Sequence, residues 1–231
     1  MPCVLIQGKI MIKQYFVAAV AVFYMVFAMN AHAAKGPYEV ISTTTQEVMD
    51  IIIEAKEQGY VKTEPERFTR QIEESMDKAV DFASFARGVM GKYGDKRYYD
   101  SLKSEAEKKA FLERITRFTE QFKAGLINTY AQGLLAFDGN RIEIIPPKKG
   151  DTDDGSAVIV QQIYGDRSQP YNIKYLMRKG ADGEWMCRNV LIEGIDLGRT
   201  YRGQFNASLY RYKGDVDKVV ETWSVAVGAG S

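Results

Sequence analysis

Histidine is nearly missing from this 231-residue chain, and cysteine is almost as scarce, with one His and two Cys in all. The one histidine, His32, sits directly behind the only long apolar run, over residues 15–29, which Lys9 and Lys13 precede. Ala31-His32-Ala33 supplies small residues at alternate positions, and together these features read as a secretory signal peptide, residues 1–33, cut after Ala33. A retained membrane anchor is the competing reading, but the run falls short of the ~20 residues a span requires. Cleavage removes His32, so the exported chain cannot build a Ser-His-Asp triad, a Cys-His pair or a histidine metal site. It also removes Cys3, leaving Cys187 alone and excluding any internal disulfide. No cysteine follows the cleavage region, which argues against a lipid-anchored product.

Excess charge of one sign is absent as well. The signal takes Lys9 and Lys13 and no acid, leaving 29 basic against 30 acidic side chains of the 31 and 30 in the whole chain. A balance of that kind excludes the electrostatic footprint of a nucleic-acid binder, so no nucleic acid is expected as a partner. No glycine-rich phosphate loop follows a strand pattern. The acidic run Asp151-Thr152-Asp153-Asp154-Gly155 misses the calcium-loop spacing, and Gln162 stands where a bidentate Glu is needed, so no metal is expected. With no repeats and no low-complexity linkers, residues 34–231 read as one domain.

What the chain has in quantity is amphipathic pattern. Gly36-Pro37 opens a helix with Ile41, Val48, Ile51, Ile52 and Ala55 at helical spacing, stopped by Gly59. A second helix is expected from Thr63, with Glu66 completing a capping box and Phe68, Ile72 and Met76 inward. Asp81 is a good N-cap for a short third helix carrying Phe82, Phe85, Ala86, Val89 and Met90 up to Gly91. Ser104 and Glu107 form another capping box, ahead of the longest stripe: Phe111, Ile115, Phe118, Phe122, Leu126, Tyr130 and Leu134. From Arg141 the period becomes two, with Ile142 and Ile144, then Val158, Val160, Gln162 and Tyr164. Tyr171, Ile173, Tyr175 and Met177 alternate with polar residues ahead of Gly180-Ala181-Asp182-Gly183, a hairpin signal, and a second strand runs over residues 185–193. That strand alternates less cleanly, as a bulge within residues 189–192 would make it do. A helix from near Arg199, with Tyr201, Phe205 and Leu209 inward, and a last one capped by Asp215 complete the chain. The order gives an α+β fold: N-terminal helices, four antiparallel strands, then C-terminal helices. Large apolar side chains on helices facing a sheet suit a cavity for a greasy ligand as well as they suit a solid core.

Trp185, Asn189-Val190, Glu193-Gly194-Ile195-Asp196-Leu197, Tyr201-Arg202 and Gln204-Phe205 together resemble the C-terminal signature of the MlaC family. These are periplasmic phospholipid carriers, also called toluene-tolerance auxiliary proteins. Asp81-Phe82 with Ala86 and Gly91, then Phe111, Phe118 and Tyr130, is similar to the family's central pattern, and Pro37-Tyr38 to its start. The family usually has Asp at the position of Asn189 and Ser at that of Asp196, which lowers the weight of any family role for those two. The resemblance implies a curved sheet wrapped by helices around a deep apolar pocket for acyl chains. It also implies a monomer in the periplasm that shuttles glycerophospholipid between an outer-membrane lipoprotein complex and an inner-membrane ABC transporter with a hexameric lipid-binding domain, maintaining outer-membrane asymmetry.

On that reading the chain is not an enzyme, needs no cofactor, and holds lipid as cargo. Expected tail contacts on helices are Phe82, Phe85, Val89, Phe118, Phe122, Leu126, Tyr130, Tyr201 and Phe205. Those on strands are Ile144, Val158, Val160, Ile173, Tyr175, Met177, Val190 and Ile192. Lys174, Arg199 and Arg202 are candidate headgroup contacts, with solvated surface charge as the alternative. Withdrawing a diacyl lipid exposes some 30 methylenes at ~0.8 kcal/mol each, on the order of 24 kcal/mol. A soluble carrier must therefore hide the tails, and headgroup contacts of a few kcal/mol leave headgroup selectivity weak. Rival readings are a carrier of hopanoid or another polycyclic lipid, an isomerase-like enzyme with a buried carboxylate in a cone-shaped α+β fold, and an interaction adaptor with a solid core.

Overall fold

The computed structural model describes residues 35–135, 141–148, 152–165 and 168–225, so the signal segment 1–33, Asp151 of the acidic loop and the C-terminal tail lie outside it. Helix α1, Pro37–Gln58, starts on a proline whose fixed φ suits the first turn and ends at Gly59, whose left-handed φ of 67° lets its N–H close on Ala55 O at 3.1 Å. Helix α2, Pro65–Asp77, begins two residues later than its sequence pattern predicts. Pro65 is the reason: the residue before a proline is pushed out of the helical region, so Glu64 stays outside and the Thr63/Glu66 box cannot form. Thr63 Oγ1 instead donates back to Tyr60 O at 3.3 Å.

Asp81 caps α3, Phe82–Met90, by accepting the Ser84 N–H at 2.8 Å. A 3-10 turn at Gly91–Gly94 and a short helix α4, Lys96–Ser101, follow without any periodic signal, packing Tyr98 and Tyr99 on Phe111. The Ser104/Glu107 box forms reciprocally ahead of α5, Glu105–Leu135: Ser104 N–H donates to Glu107 Oε2 at 3.0 Å and Glu107 N–H to Ser104 Oγ at 3.2 Å. No helix among the described residues is long and apolar enough to cross a membrane.

Four long strands form the sheet: β1 Arg141–Ile145, β3 Ser156–Tyr164, β4 Tyr171–Lys179 and β5 Trp185–Ile192. Two two-residue strands join them, β2 Thr152–Asp153 beside β3 and β6 Ile195–Asp196 beside β5, giving the order β1-β3-β4-β5-β6 with every pair antiparallel. Register fixes the inner face. Ile173 lies opposite Gln161 and Ile192, and Tyr175 opposite Ile159 and Val190. Inward residues of β3 are therefore Ala157, Ile159, Gln161 and Ile163, one place out of phase with the expected set. Val158 is 37% exposed while Ile159 is sealed, and Val160 lies opposite the exposed Lys174 on the outer face. Both alternate sets of β3 carry β-branched residues and one Gln, so its own pattern cannot choose a face.

A bulge in β5 does what alternation alone would not. Leu176 pairs with Asn189 and Met177 with Cys187, leaving Arg188 as the extra residue. The side-chain phase advances across it, so Cys187, Val190 and Ile192 all face inward. The bulge also holds the link between α2 and α3: Cys187 N–H donates to Ala79 O at 2.7 Å, Asp81 N–H to Cys187 O at 2.9 Å, and Arg188 Nε to Asp81 Oδ2 at 3.0 Å.

Helix α6, Leu197–Arg211, starts two residues ahead of its expected place because Asp196 is its cap, accepting the Arg199 N–H at 2.9 Å. Helix α7, Val216–Glu221, is capped by Asp215 and clasped to α5 by a two-toothed Arg114–Asp217 pair at 2.9 and 2.7 Å. Between α3, α5 and α6 lies a solid aromatic knot. Phe122 meets Phe85 at 5.2 Å and Tyr201 at 5.4 Å edge-on, while Phe118 meets Phe205 at 5.2 Å and Trp223 at 5.1 Å.

Burial pushes the Asp81 carboxyl up, but the Ser84 donors and the Arg188 guanidinium outweigh it and hold the group below the usual carboxylate range. A depressed folded value stabilises the fold above the unfolded pKa of about 3.9, and the contribution is lost as pH falls through the folded value. Asp81→Ala should lower stability by about 1 kcal/mol at neutral pH. Urea unfolding repeated below about pH 4 should find the gap between variant and parent narrowed.

Candidate functional site

Behind the aromatic knot the interior is hollow. Helix α1 presents Ile41, Thr44, Thr45, Val48, Met49 and Ile52, and α2 presents Ile72 and Met76, to a cavity of about 250 Å³. Ala79 and Val80 of the stitched link, Phe82 and Phe85 of α3, and Leu126, Ile127, Tyr130, Ala131 and Leu134 of α5 continue the helical wall. Across from them stand Ile142, Gln161, Ile163, Ile173, Tyr175, Cys187, Val190 and Ile192 of the sheet, with Leu197 at the start of α6.

The structure places eight of the expected contact residues on this wall: Phe82, Phe85, Leu126, Tyr130, Ile173, Tyr175, Val190 and Ile192. Val89, Phe118, Phe122, Met177, Tyr201 and Phe205 are instead packed solid in the core. The α5 stripe is divided: its first part, through Phe122, meets other aromatic rings, and only the part from Leu126 onward borders open space. Ile144 shares a face with Ile142 but packs against the core, and Val158 and Val160 point the other way. Sequence reasoning missed the whole α1 contribution, together with Met76, Ile142, Ile163, Gln161 and Cys187. The α1 stripe was visible as a periodic apolar face, but that pattern is the same for a helix on a core and a helix over a void.

None of the three candidate cations borders the cavity. Lys174 lies on the outer face of β4, and Arg199 is exposed at the start of α6. Arg202 donates from Nε to Gly88 O at 2.8 Å, satisfying a carbonyl in the last turn of α3.

The chemistry of the wall is sparse. The described lining carries no carboxylate, imidazole, lysine or arginine. Among the described residues no group of three or more His, Cys, Asp or Glu could hold a metal. Burial pushes the Cys187 thiol up to about 12, and Sγ–H donates to Asn189 O at 3.2 Å, so the group stays a protonated thiol at neutral pH rather than a nucleophile. Burial also pushes the Tyr175 phenol well up, and its hydroxyl donates to Gln161 Oε1. Tyr130 links wall to knot through a hydroxyl contact of 3.3 Å with Tyr201, whose phenol burial likewise raises. A wall of this kind can hold apolar matter, and among its described residues there is no carboxylate, imidazole or amine to move a proton at neutral pH.

The end of β5 and the start of α6 are joined by one polar knot that sets Val190 and Leu197 on the wall. Asn189 Oδ1 accepts the N–H groups of Val190 and Gly198, both at 2.9 Å, and its Nδ2 donates to Asp196 Oδ1 at 2.8 Å. A Cβ at Gly198 would lie 2.9 Å from Asn189 Oδ1, so the close approach requires glycine there.

The sequence model of the MlaC protein family matches residues 42–225. The toluene tolerance protein ttg2D of Pseudomonas putida is 29% identical over 200 residues, 86% of this chain and 84% of that protein. A phospholipid-binding protein from Ralstonia solanacearum, solved in complex with a phospholipid, shares the fold with a TM-score of 0.64 at 19% identity, covering 81% of this chain and 94% of that one.

The knot predicts a paired exchange. Asn189→Asp alone removes the Nδ2 donor and sets two acceptors against each other at Asp196, and should cost about 1–3 kcal/mol in urea unfolding. Adding Asp196→Ser supplies a hydroxyl donor that still caps α6, so the double variant should recover most of the loss.

Proposed function

Because the chain belongs to the MlaC family, we propose that it is an exported carrier that holds the acyl chains of a glycerophospholipid in the cavity between α1, α2, α3, α5 and the sheet. The observation that carries this reading is an apolar cavity walled by helices on one side and by a sheet face on the other, with no charged group among its described residues. The phospholipid held by the Ralstonia protein of the same fold and the name of the Pseudomonas relative support it. In this proposal residues 1–33 are the export signal and the processed chain works in the periplasm. It takes lipid to or from an inner-membrane ABC transporter with a hexameric lipid-binding domain and an outer-membrane lipoprotein complex, and so maintains outer-membrane asymmetry. The lack of a carboxylate on the described wall favours carriage over acid–base catalysis in a cone-shaped fold.

Size sets a condition on the mechanism. A cavity of about 150 Å³ holds one benzene, so 250 Å³ accommodates a stretch of about ten carbons and not two full chains. A diacyl lipid therefore either widens the space between helices and sheet or leaves part of its chains outside it. The aliphatic part of the wall, with Met49 and Met76 able to change shape cheaply, suits such widening better than the aromatic knot does.

Native mass spectrometry of protein purified from the periplasm should show the processed chain plus one lipid mass, identified by organic extraction as a phospholipid rather than a polycyclic lipid. A bare polypeptide mass with a lipid-free extract would overturn the reading. Ile173→Asp, on the inner face, should reduce lipid occupancy at least tenfold, whereas Val160→Asp, on the outer face, should leave it near the parent level.

A further inference from the structure

Gln161 is 4% exposed, yet it stands on the wall of an apolar cavity in the middle of β3. Its neighbours on that face, fixed by register, are Ile159 and Ile163 along the strand and Ile144 and Ile173 across it. A glutamine in such surroundings is out of place unless its carboxamide has partners. Among the described residues it has one: Oε1 accepts the Tyr175 hydroxyl. Among the described residues the amide nitrogen has no protein acceptor, and it is not among their sealed side-chain atoms left without a partner, which are Thr119 Oγ1 and Trp223 Nε1. Its open surface is therefore turned to the cavity that the residue lines.

The pair has a definite chemistry. The amide offers N–H donors, and the Tyr175 oxygen, having donated its proton to Oε1, keeps lone pairs to accept. A water held there would find two polar partners, the amide N–H and the Tyr175 oxygen, and the isoleucines on the four adjacent positions of the sheet add none, so a cargo oxygen that makes the same bonds can take its place. We propose that Gln161 and Tyr175 form a polar subsite within the cavity that takes an oxygen atom of the cargo, so that the carrier selects lipids bearing an oxygen function along the buried part of the molecule. This rests on the lipid-carrier reading and adds a selectivity to it. The shared chemistry is a hydrogen-bond-accepting oxygen, either the ester carbonyl at the glycerol end or a hydroxyl on the acyl chain. Selection of this kind is strong for a physical reason: a cargo that lacks the oxygen leaves a buried donor unpaired, whereas an extra methylene on the cargo changes affinity little.

The test is competitive loading of the delipidated, processed chain from an equimolar mixture of three phosphatidylglycerols, read by native mass spectrometry. One carries palmitoyl esters, one carries hexadecyl ethers without carbonyls, and one carries hydroxypalmitoyl esters. An excess of ester over ether of about tenfold or more identifies the carbonyl as the bound oxygen, and a similar excess of hydroxyacyl over plain ester identifies the chain hydroxyl. Gln161→Leu should bring the altered ratio close to one, and Tyr175→Phe, which frees the carboxamide to turn, should reduce it. If Gln161→Leu does not fold, Gln161→Met and the parent's own ratios carry the decision. Equal uptake of all three lipids by the parent, or an unchanged preference after Gln161 is replaced, overturns the subsite and leaves the carrier reading standing. Failure of the parent to take up any lipid overturns both.

Discussion

One extra residue in β5, Arg188, decides which way the interior of this protein faces. A regular strand carrying Trp185 and Cys187 inward would turn Val190 and Ile192 to solvent; the bulge restores them to the inner face. The same irregularity frees the backbone of Cys187 to exchange hydrogen bonds with the link between α2 and α3, and sends Arg188 outward to Asp81. Sheet face and helix docking thus share one cause, and the carboxylate that caps α3 is tied to the same place through its second oxygen.

The interior that results has two compartments of different character. Rings fill the space between α3, α5 and α6, where edge-on contacts near 5 Å fix their neighbours in place. Mainly aliphatic and methionine side chains, with Phe82, Phe85, Tyr130 and Tyr175 among them, border the void between α1, α2 and the sheet. Helix α5 passes through both, rigid at its Phe118–Phe122 stack and bordering open space beyond Leu126. A single element can therefore anchor the structure with one end and serve the cavity with the other.

Much of this organisation is readable from the chain, and the failures have physical reasons. Local chemistry reads well: the Ser104/Glu107 box, the Asp81 and Asp215 caps and the Gly180–Gly183 turn each rest on a few adjacent residues. Thr63 misleads because Pro65, two residues on, carries the stronger constraint. The face of β3 misleads because Val158 and Val160 are as β-branched as Ile159, and only the partner strand resolves the phase. Core and cavity wall cannot be told apart by composition, since Phe118 and Leu126 stand on one stripe and meet opposite fates. Asn189 and Asp196 read separately as two departures from a family pattern. In space they are the two ends of one hydrogen bond, Asn189 donating and Asp196 accepting.

An apolar void has consequences beyond what it can hold. Apolar surface that borders an empty space lacks the contacts that a packed core supplies, so the wall contributes less to stability than the aromatic knot does. A cargo that fills the space supplies those contacts and stabilises the folded state by mass action. For a carrier of the kind proposed, the empty molecule is the short-lived one: it opens more often and falls to proteases sooner. The amount of carrier in the cell would then follow the amount of lipid available to it, with no regulator other than the hollow itself.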